Sequence, residues 1–330
     1  MTAVVAAVDV GGTRMKAALV DREGREVVTL TRPTPAALDV PGALVRAVAE
    51  TVAALREAAA DLSGHVGPEG TAGRADPTAP EDAVGDTPEV VAAGVVVPGI
   101  VDDVRGVAVW ASNLGWRDLP VTAPLSELLG MPVALGHDVR AGLRAEVAWG
   151  AAAGSRNVLF IPLGTGIAGA LMLDGHVVAA DGWAGEIGHV VVEPEGLPCP
   201  CGQRGCLETV ASAAAVARAY AARTAGRGGA PLDAEAVAGL VRAGDADAAA
   251  VWDHAVTALA RSLVMMTTAT GVDHILVGGG LAQSGETLLA PLREAVHASL
   301  TFQREPRIER ARLGERAGCL GAACLAWDVA

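Results

Sequence analysis

Ala3 to Val10, AVVAAVDV, is the first sustained apolar run. It is short and rich in valine, so it predicts a strand buried on both faces. Lys16–Val20 and Glu26–Leu30 read as two further strands joined by the turn residues 21–24, DREG, which gives a hairpin and not a strand followed by a helix. From 42 to 62, Leu44, Val48, Val52 and Leu55 recur at helical spacing. Residues 63–88 are rich in Gly, Pro and acidic side chains and predict a surface loop. A buried strand resumes at Val90–Val97, ended by Pro98 and Gly99. Val107–Trp110 and Val133–Leu135 predict short strands, and a helix begins within 136–152.

The second half starts over. VDVGGTRMKAALVDREGREV in the opening is echoed by IPLGTGIAGALMLDGHVV, with the same order of apolar strand, Gly/Thr turn, strand, turn and strand. A repeat of this length predicts two similar α/β domains, each offering a turn of backbone N–H groups to an anion. Beyond it, helices are predicted at 208–224, 246–270, 284–300 and 314–329, with strands at 273–277 and 307–309.

Composition narrows the picture. The chain is 51% hydrophobic but only 3% aromatic, so its core is built from Ala, Val and Leu. The 25 basic and 38 acidic residues give a net charge of -13, which argues against non-specific binding of nucleic acid. The opening lacks a basic region and meets Asp9 early, unlike a signal peptide or a membrane span, and no later stretch reaches eighteen apolar residues without charge or glycine. Five cysteines, an odd number, fit a reducing, cytoplasmic setting better than a disulfide scaffold.

Candidate chemistry lies in four places. Cys199, Cys201, Cys206 and His189 form a dense set of thiols and one imidazole in a Gly/Pro-rich loop. Such a set suits a four-coordinate structural Zn²⁺ with no open position; the alternative is three reduced, buried cysteines. Glycine-rich turns end strands at Gly11–Gly12 (followed by Thr13), at Gly164–Thr165–Gly166 and at Gly278–Gly279–Gly280. They let backbone N–H groups approach phosphate, although the G-x-x-x-x-G-K-[ST] pattern is absent. Gly164, Gly166 and Gly169 match G-x-G-x-x-G, but a hairpin and not a helix is predicted to follow. Asp9 is placed to organise a phosphate-bound Mg²⁺ through water, and Asp138 to act as general base. Asn113 and Trp116 suit either a sugar site or an Asx turn with a packed tryptophan.

E-x-G-H followed by C-x-C-G-x-x-G-C-L-E (186–208) resembles the ROK family of sugar kinases and sugar-responsive repressors, and the likeness runs from Asp9 to Gly280. The resemblance implies an α/β fold of two similar domains of the actin-like/hexokinase-like ATPase type. Mixed sheets flanked by helices would enclose an interdomain cleft. Residues 1–120 would form a small N-terminal domain, onto which a C-terminal helix at about 314–330 packs back, and 121–313 a large domain carrying the zinc loop. It implies ATP-dependent phosphorylation of a hexose, glucose first, with N-acetylmannosamine or N-acetylglucosamine as alternatives. A non-catalytic sugar-binding regulator is the rival from another class.

By the same resemblance, Asp9, Gly11, Gly12, Thr13, Gly164, Thr165 and Gly166 cradle the phosphates of Mg-ATP, and Gly278, Gly279 and Gly280 border the adenosine. Gly99, Asn113, Asp138, Glu186, His189 and Glu208 meet the sugar. His189 also joins Cys199, Cys201 and Cys206 on zinc, and the assembly is a homodimer or homotetramer. With the first strand predicted from Ala3, the repressors' N-terminal DNA-binding module is not expected. It departs from the family at His137, usually Asn, and at Val139–Arg140, usually Ala-Asn. Arg140 raises the prospect of a different hexose substituent.

Overall fold

The computed structural model describes residues 2–35, 42–64, 87–111, 114–226 and 230–330. The chain forms two compact units, Met1–Gly142 with Gly318–Ala330, and Leu143–Ala317. The first holds β1 (Ala3–Val10), β2 (Arg14–Val20), β3 (Glu26–Pro33), α1 (Ala43–Gly64) and β4 (Glu89–Val97). Then come β5 (Ile100–Asp102), β6 (Val107–Trp110), β7 (Arg117–Pro120), α2 (Thr122–Leu129) and β8 (Val133–His137). Helix α3 (Asp138–Trp149) leads into the second unit.

The first sheet runs β3-β2-β1-β4-β8, with β1–β3 antiparallel and β4 and β8 parallel to β1. Val4–Val8 are fully buried, as a central strand covered on both faces requires. At the edge, β3 alternates, with Val28 buried and Val27 exposed. Strands β5, β6 and β7 form a separate small antiparallel sheet. Strand β8 pairs with β4 within the first unit, which runs to residue 142.

The second unit repeats the plan. Its strands are β9 (Val158–Pro162), β10 (Ala170–Leu173), β11 (His176–Val177), β12 (His274–Gly278) and β13 (Arg307–Arg310). They pair in the order β11-β10-β9-β12-β13, again three antiparallel and then two parallel. Its helices are α4 (Leu207–Ala211), α5 (Ala213–Arg223), α6 (Ala234–Arg242), α7 (Ala246–Thr270) and α8 (Glu286–Ser299). The helix expected over 208–224 is two: Ser212 is extended, and its hydroxyl caps α5 by accepting the Ala215 N–H.

Helix α9 (Ala317–Val329) belongs almost wholly to the first unit. Small residues let it lie close. A Cβ on Gly318 would come 2.5 Å from Asp9 Oδ2, one on Gly321 would strike the Ala141 carbonyl, and one on Gly94 would strike the Ala322 carbonyl. Among the described residues no helix is long and apolar enough to cross a membrane. The loop predicted at 63–88 falls almost wholly outside the described residues.

Candidate functional site

In the first unit, β1 delivers Asp9 to its carboxyl end, where the turn to β2 begins. The turn is closed by the Gly11 N–H donating to the Arg14 carbonyl at 3.0 Å, and Thr34 Oγ1 donates to the Gly11 carbonyl at 2.6 Å. Gly12 and Thr13 are exposed. Asp9 is half-buried in the sheet and lies against α9, with Lys16 opposite it in the hairpin register. Burial first, and the nearby charge of Asp138 second, push its carboxyl up to about 7, against a smaller pull from Lys16. Its oxygens are of the donor type that Mg²⁺ takes.

Asp138 opens α3 directly after β8, which runs parallel to β4 and hence to β1. Its Oδ1 accepts the Val139 N–H at 2.7 Å and lies 3.4 Å from His137 Nε2. The side chain remains about one-third exposed. Gly99 sits between β4 and β5 at φ +91°, where a Cβ would strike the Trp110 carbonyl. Asn113 lies outside the described residues. Trp116 is buried in the core of this unit, which selects the packed-tryptophan alternative over a sugar platform. The prospect that Arg140 meets a hexose substituent is corrected. Arg140 is 4% exposed, and its guanidinium donates to the Val101 carbonyl at 3.3 Å, which makes it a strut between α3 and β5.

In the second unit, the turns at 163–166 and 278–280 are stitched together. Leu163 donates to the Gly278 carbonyl at 2.9 Å, and Leu281 donates to the Leu163 carbonyl at 3.0 Å. Gly279 holds φ +78° because a Cβ there would enter the Leu163 backbone. Thr165 and Gly280 are exposed. Strand β10 follows antiparallel to β9, so the G-x-G-x-x-G match does not open a helix. Glu208, on the first turn of α4, accepts the Ile167 N–H at 2.9 Å and packs against Gly166.

The predicted metal ligands converge. The donor atoms of His189, Cys199, Cys201 and Cys206 all lie within 4.8 Å of one another. Zn–S bonds of about 2.3 Å and Zn–N bonds of about 2.0 Å place tetrahedral S···S edges near ~3.8 Å and S···N edges near ~3.5 Å. Cys201 Sγ and Cys206 Sγ are 3.7 Å apart, and Cys199 Sγ is 3.6 Å from His189 Nδ1. The donor set therefore fits a tetrahedral ion. Burial pushes the Cys206 thiol up to about 12, so the bound ion must displace its proton. His189 turns Nδ1 to the thiols and Nε2 toward Glu186 Oε2, 3.9 Å away. Cys206 stands at the N-cap position of α4, so the cluster adjoins the helix that carries Glu208.

Residue-type reasoning passed over Lys16, Gln203 and Gly318. The register Asp9↔Lys16 follows from the short hairpin. Gln203 Nε2 donates to the His189 carbonyl at 3.3 Å and bears on Cys201 Sγ, bracing the loop. Gly318 had no local signal, since its reason is Asp9, far away in sequence.

The family model described as "ROK family" matches residues 81–329. The chain belongs to the ROK family. The glucokinase of Thermotoga maritima is 31% identical over 332 residues, 96% of this chain and 95% of that protein. The N-acetylmannosamine kinase of Citrobacter koseri is 31% identical over 97% of each. Among solved structures, the ROK glucokinase of Streptomyces griseus in complex with glucose and AMPPNP superposes with a TM-score of 0.76 at 27% identity, covering 98% of this chain and 99% of that one. The mixed sheets with flanking helices are thus those of ROK sugar kinases.

Proposed function

We propose that this ROK protein, an ATP-dependent sugar kinase, transfers the γ-phosphoryl group of ATP to the 6-hydroxyl of glucose. The observation that carries the reading is the carboxylate of Asp138, fixed at the amino end of α3 in reach of the charge of Asp9. Asp138 takes the hydroxyl proton as the new bond to phosphorus forms. Asp9 orders the hydration of the nucleotide's cation, and the turns at 11–13 and 164–166 direct N–H groups to the phosphates while 278–280 borders the adenosine. Bound Mg²⁺ offsets phosphate charge. Gly99, Asn113, Glu186, His189 and Glu208 contact sugar hydroxyls, and carboxylates that each take two hydroxyls penalise a sugar lacking one.

One Zn²⁺ on His189, Cys199, Cys201 and Cys206 would be structural, because four protein ligands leave no position for water. His189 would hold it through the nitrogen that faces the thiols, and its Nε2, on the side of Glu186, would remain a donor for the sugar. Reduced thiols of this kind suit the cytoplasm. Assembly as a homodimer or homotetramer belongs to the same reading. N-acetylmannosamine is the second substrate, favoured by the near full-length likeness to the Citrobacter koseri enzyme. The regulator reading is disfavoured by the intact Asp138.

The test is ADP release with Mg-ATP against glucose, mannose, fructose, allose, N-acetylglucosamine and N-acetylmannosamine. Glucose is expected to turn over at about 1–10³ s⁻¹. Preference for an N-acetylhexosamine would replace the substrate, and silence across the panel with zinc-loaded protein would overturn the kinase reading.

A further inference from the structure

We propose that His137 is a positioning residue for the phosphoryl-transfer base. Held as a neutral ring with its proton on Nε2, it fixes the rotation of the Asp138 carboxylate and so contributes to kcat and not to sugar affinity. The inference rests on the reading of Asp138 as the base.

The tautomer follows from one contact. The Arg140 backbone N–H faces His137 Nδ1 at 3.4 Å. A backbone amide can only donate, so Nδ1 must be the acceptor, and the neutral ring carries its proton on Nε2. That nitrogen is 3.4 Å from Asp138 Oδ1. The same oxygen accepts the Val139 N–H at 2.7 Å. The Val139 bond is already made, and a small turn of Asp138 as substrate arrives closes the longer His137 contact to a hydrogen bond, so that two donors from different directions then hold the carboxylate plane.

The seat selects the neutral ring. An imidazolium would turn an Nδ1–H against the Arg140 N–H, two donors face to face. The ring itself is fixed. Its backbone pairs with Val97 in the β4–β8 ladder, and its side chain is 11% exposed against 34% for Asp138. Asp9 on β1 faces Asp138 electrostatically, and Asp9 in turn has Lys16 opposite it on β2 and the buried thiol of Cys319 on α9 nearby, while the Arg140 guanidinium on α3 is turned to the Val101 carbonyl. A base held in one rotation reaches the acceptor proton without first losing rotational freedom, an effect realised in the transition state more than in the ground state.

The test uses the full-length, zinc-loaded enzyme. Long-range ¹H–¹⁵N spectra of histidine-labelled protein are recorded near pH 7.5, with His137 assigned by the signal lost in His137→Asn. The expected result is a neutral ring protonated on Nε2, whose Nε2–H resonance moves upfield in Asp138→Asn. An Nδ1–H tautomer, an imidazolium, or no response to Asp138→Asn overturns the proposal. In steady state, His137→Phe is expected to lower kcat about 10- to 100-fold, the usual cost of an outer partner, with KM changed less than about threefold. His137→Asn, whose amide again donates, is expected to recover most of that loss. A raised KM at unchanged kcat would instead make His137 a sugar contact and overturn the proposal. If His137→Phe does not fold, His137→Gln and the spectra carry the same test. An active Asp138→Asn enzyme would defeat the base reading itself. An inactive Asp138→Asn beside a fully active His137→Phe would defeat only this inference.

Discussion

Asp9→Asn should make the nucleotide-free protein more stable, by an amount that grows with pH. Asn keeps the size of the side chain and cannot ionise. In the folded protein the Asp9 carboxyl titrates at about 7 instead of 3.8, because burial and then Asp138 disfavour its charge. Below pH 3.8 both folded and unfolded chains hold the proton, and Asp9 costs nothing extra. Between 3.8 and about 7 the unfolded chain alone releases it, so stability falls as pH rises; above 7 the loss is complete. A gap of about three units at 1.36 kcal/mol each sets a ceiling of about 4 kcal/mol. At pH 5 the cost is about 1.5 kcal/mol, so the variant's advantage should widen by about 2–3 kcal/mol between pH 5 and pH 8. Urea denaturation of both proteins at pH 5, 6.5 and 8, without nucleotide or Mg²⁺, measures it. Mg-ATP should then stabilise the wild type more than the variant, since only the wild type offers the carboxylate. A stability difference that does not vary with pH, or a variant less stable than the wild type at pH 8, would refute the reasoning.

Asp138→Ala is expected to lower kcat by about 10²–10⁴ while calorimetry still finds sugar bound, because the lost interaction belongs to the transition state. Cys206→Ser should take the protein from one zinc per chain to none by metal analysis and weaken sugar binding more than nucleotide binding, since Glu208 and His189 depend on the loop. Arg140→Ala should cost about 1–3 kcal/mol in denaturant melts, from the buried guanidinium–carbonyl bond, and leave the ranking of sugars unchanged. A reordered ranking would return Arg140 to the sugar site.

The elements that were legible share one physical property: their side chains are decided by burial on a simple period. Strands β1, β4, β9 and β12 are central and covered on both faces, so each appears as an unbroken apolar run. The repeat of hairpin and Gly/Thr turn was legible because both sheets pair in the same order. Helices α2 and α6 were not anticipated. Helix α6 sets Ala234, Val237, Ala238 and Val241 on one face at helical spacing, but its nine residues carry that pattern for little more than two turns. Its clearest signal was the cap, where Asp233 accepts the Ala236 N–H at 2.8 Å. Ser212 was hidden for a similar reason, since a serine within an alanine-rich run gives no break in the apolar pattern.

The candidate site divides along the same line. Zinc ligands close together in sequence could be read from spacing, and the four donor atoms do meet. Glycine turns could be read from their recurrence at strand ends, although Gly279 alone among those turn glycines holds a positive φ. The places of Trp116 and Arg140 were not decided locally because their surroundings come from elsewhere: the tryptophan sinks into a core assembled from β1 to β8, and the arginine reaches a carbonyl 39 residues upstream. Asp9 makes the point most sharply. An aspartate at a strand end looks ordinary in sequence. Its proton affinity is set by a helix 309 positions later that fits only because residue 318 is glycine, by a carboxylate at 138, and by a lysine at 16 that the hairpin register brings opposite. The chemistry of that carboxylate is thus a property of the folded unit, and the pH dependence of folding reports on it before any substrate is added.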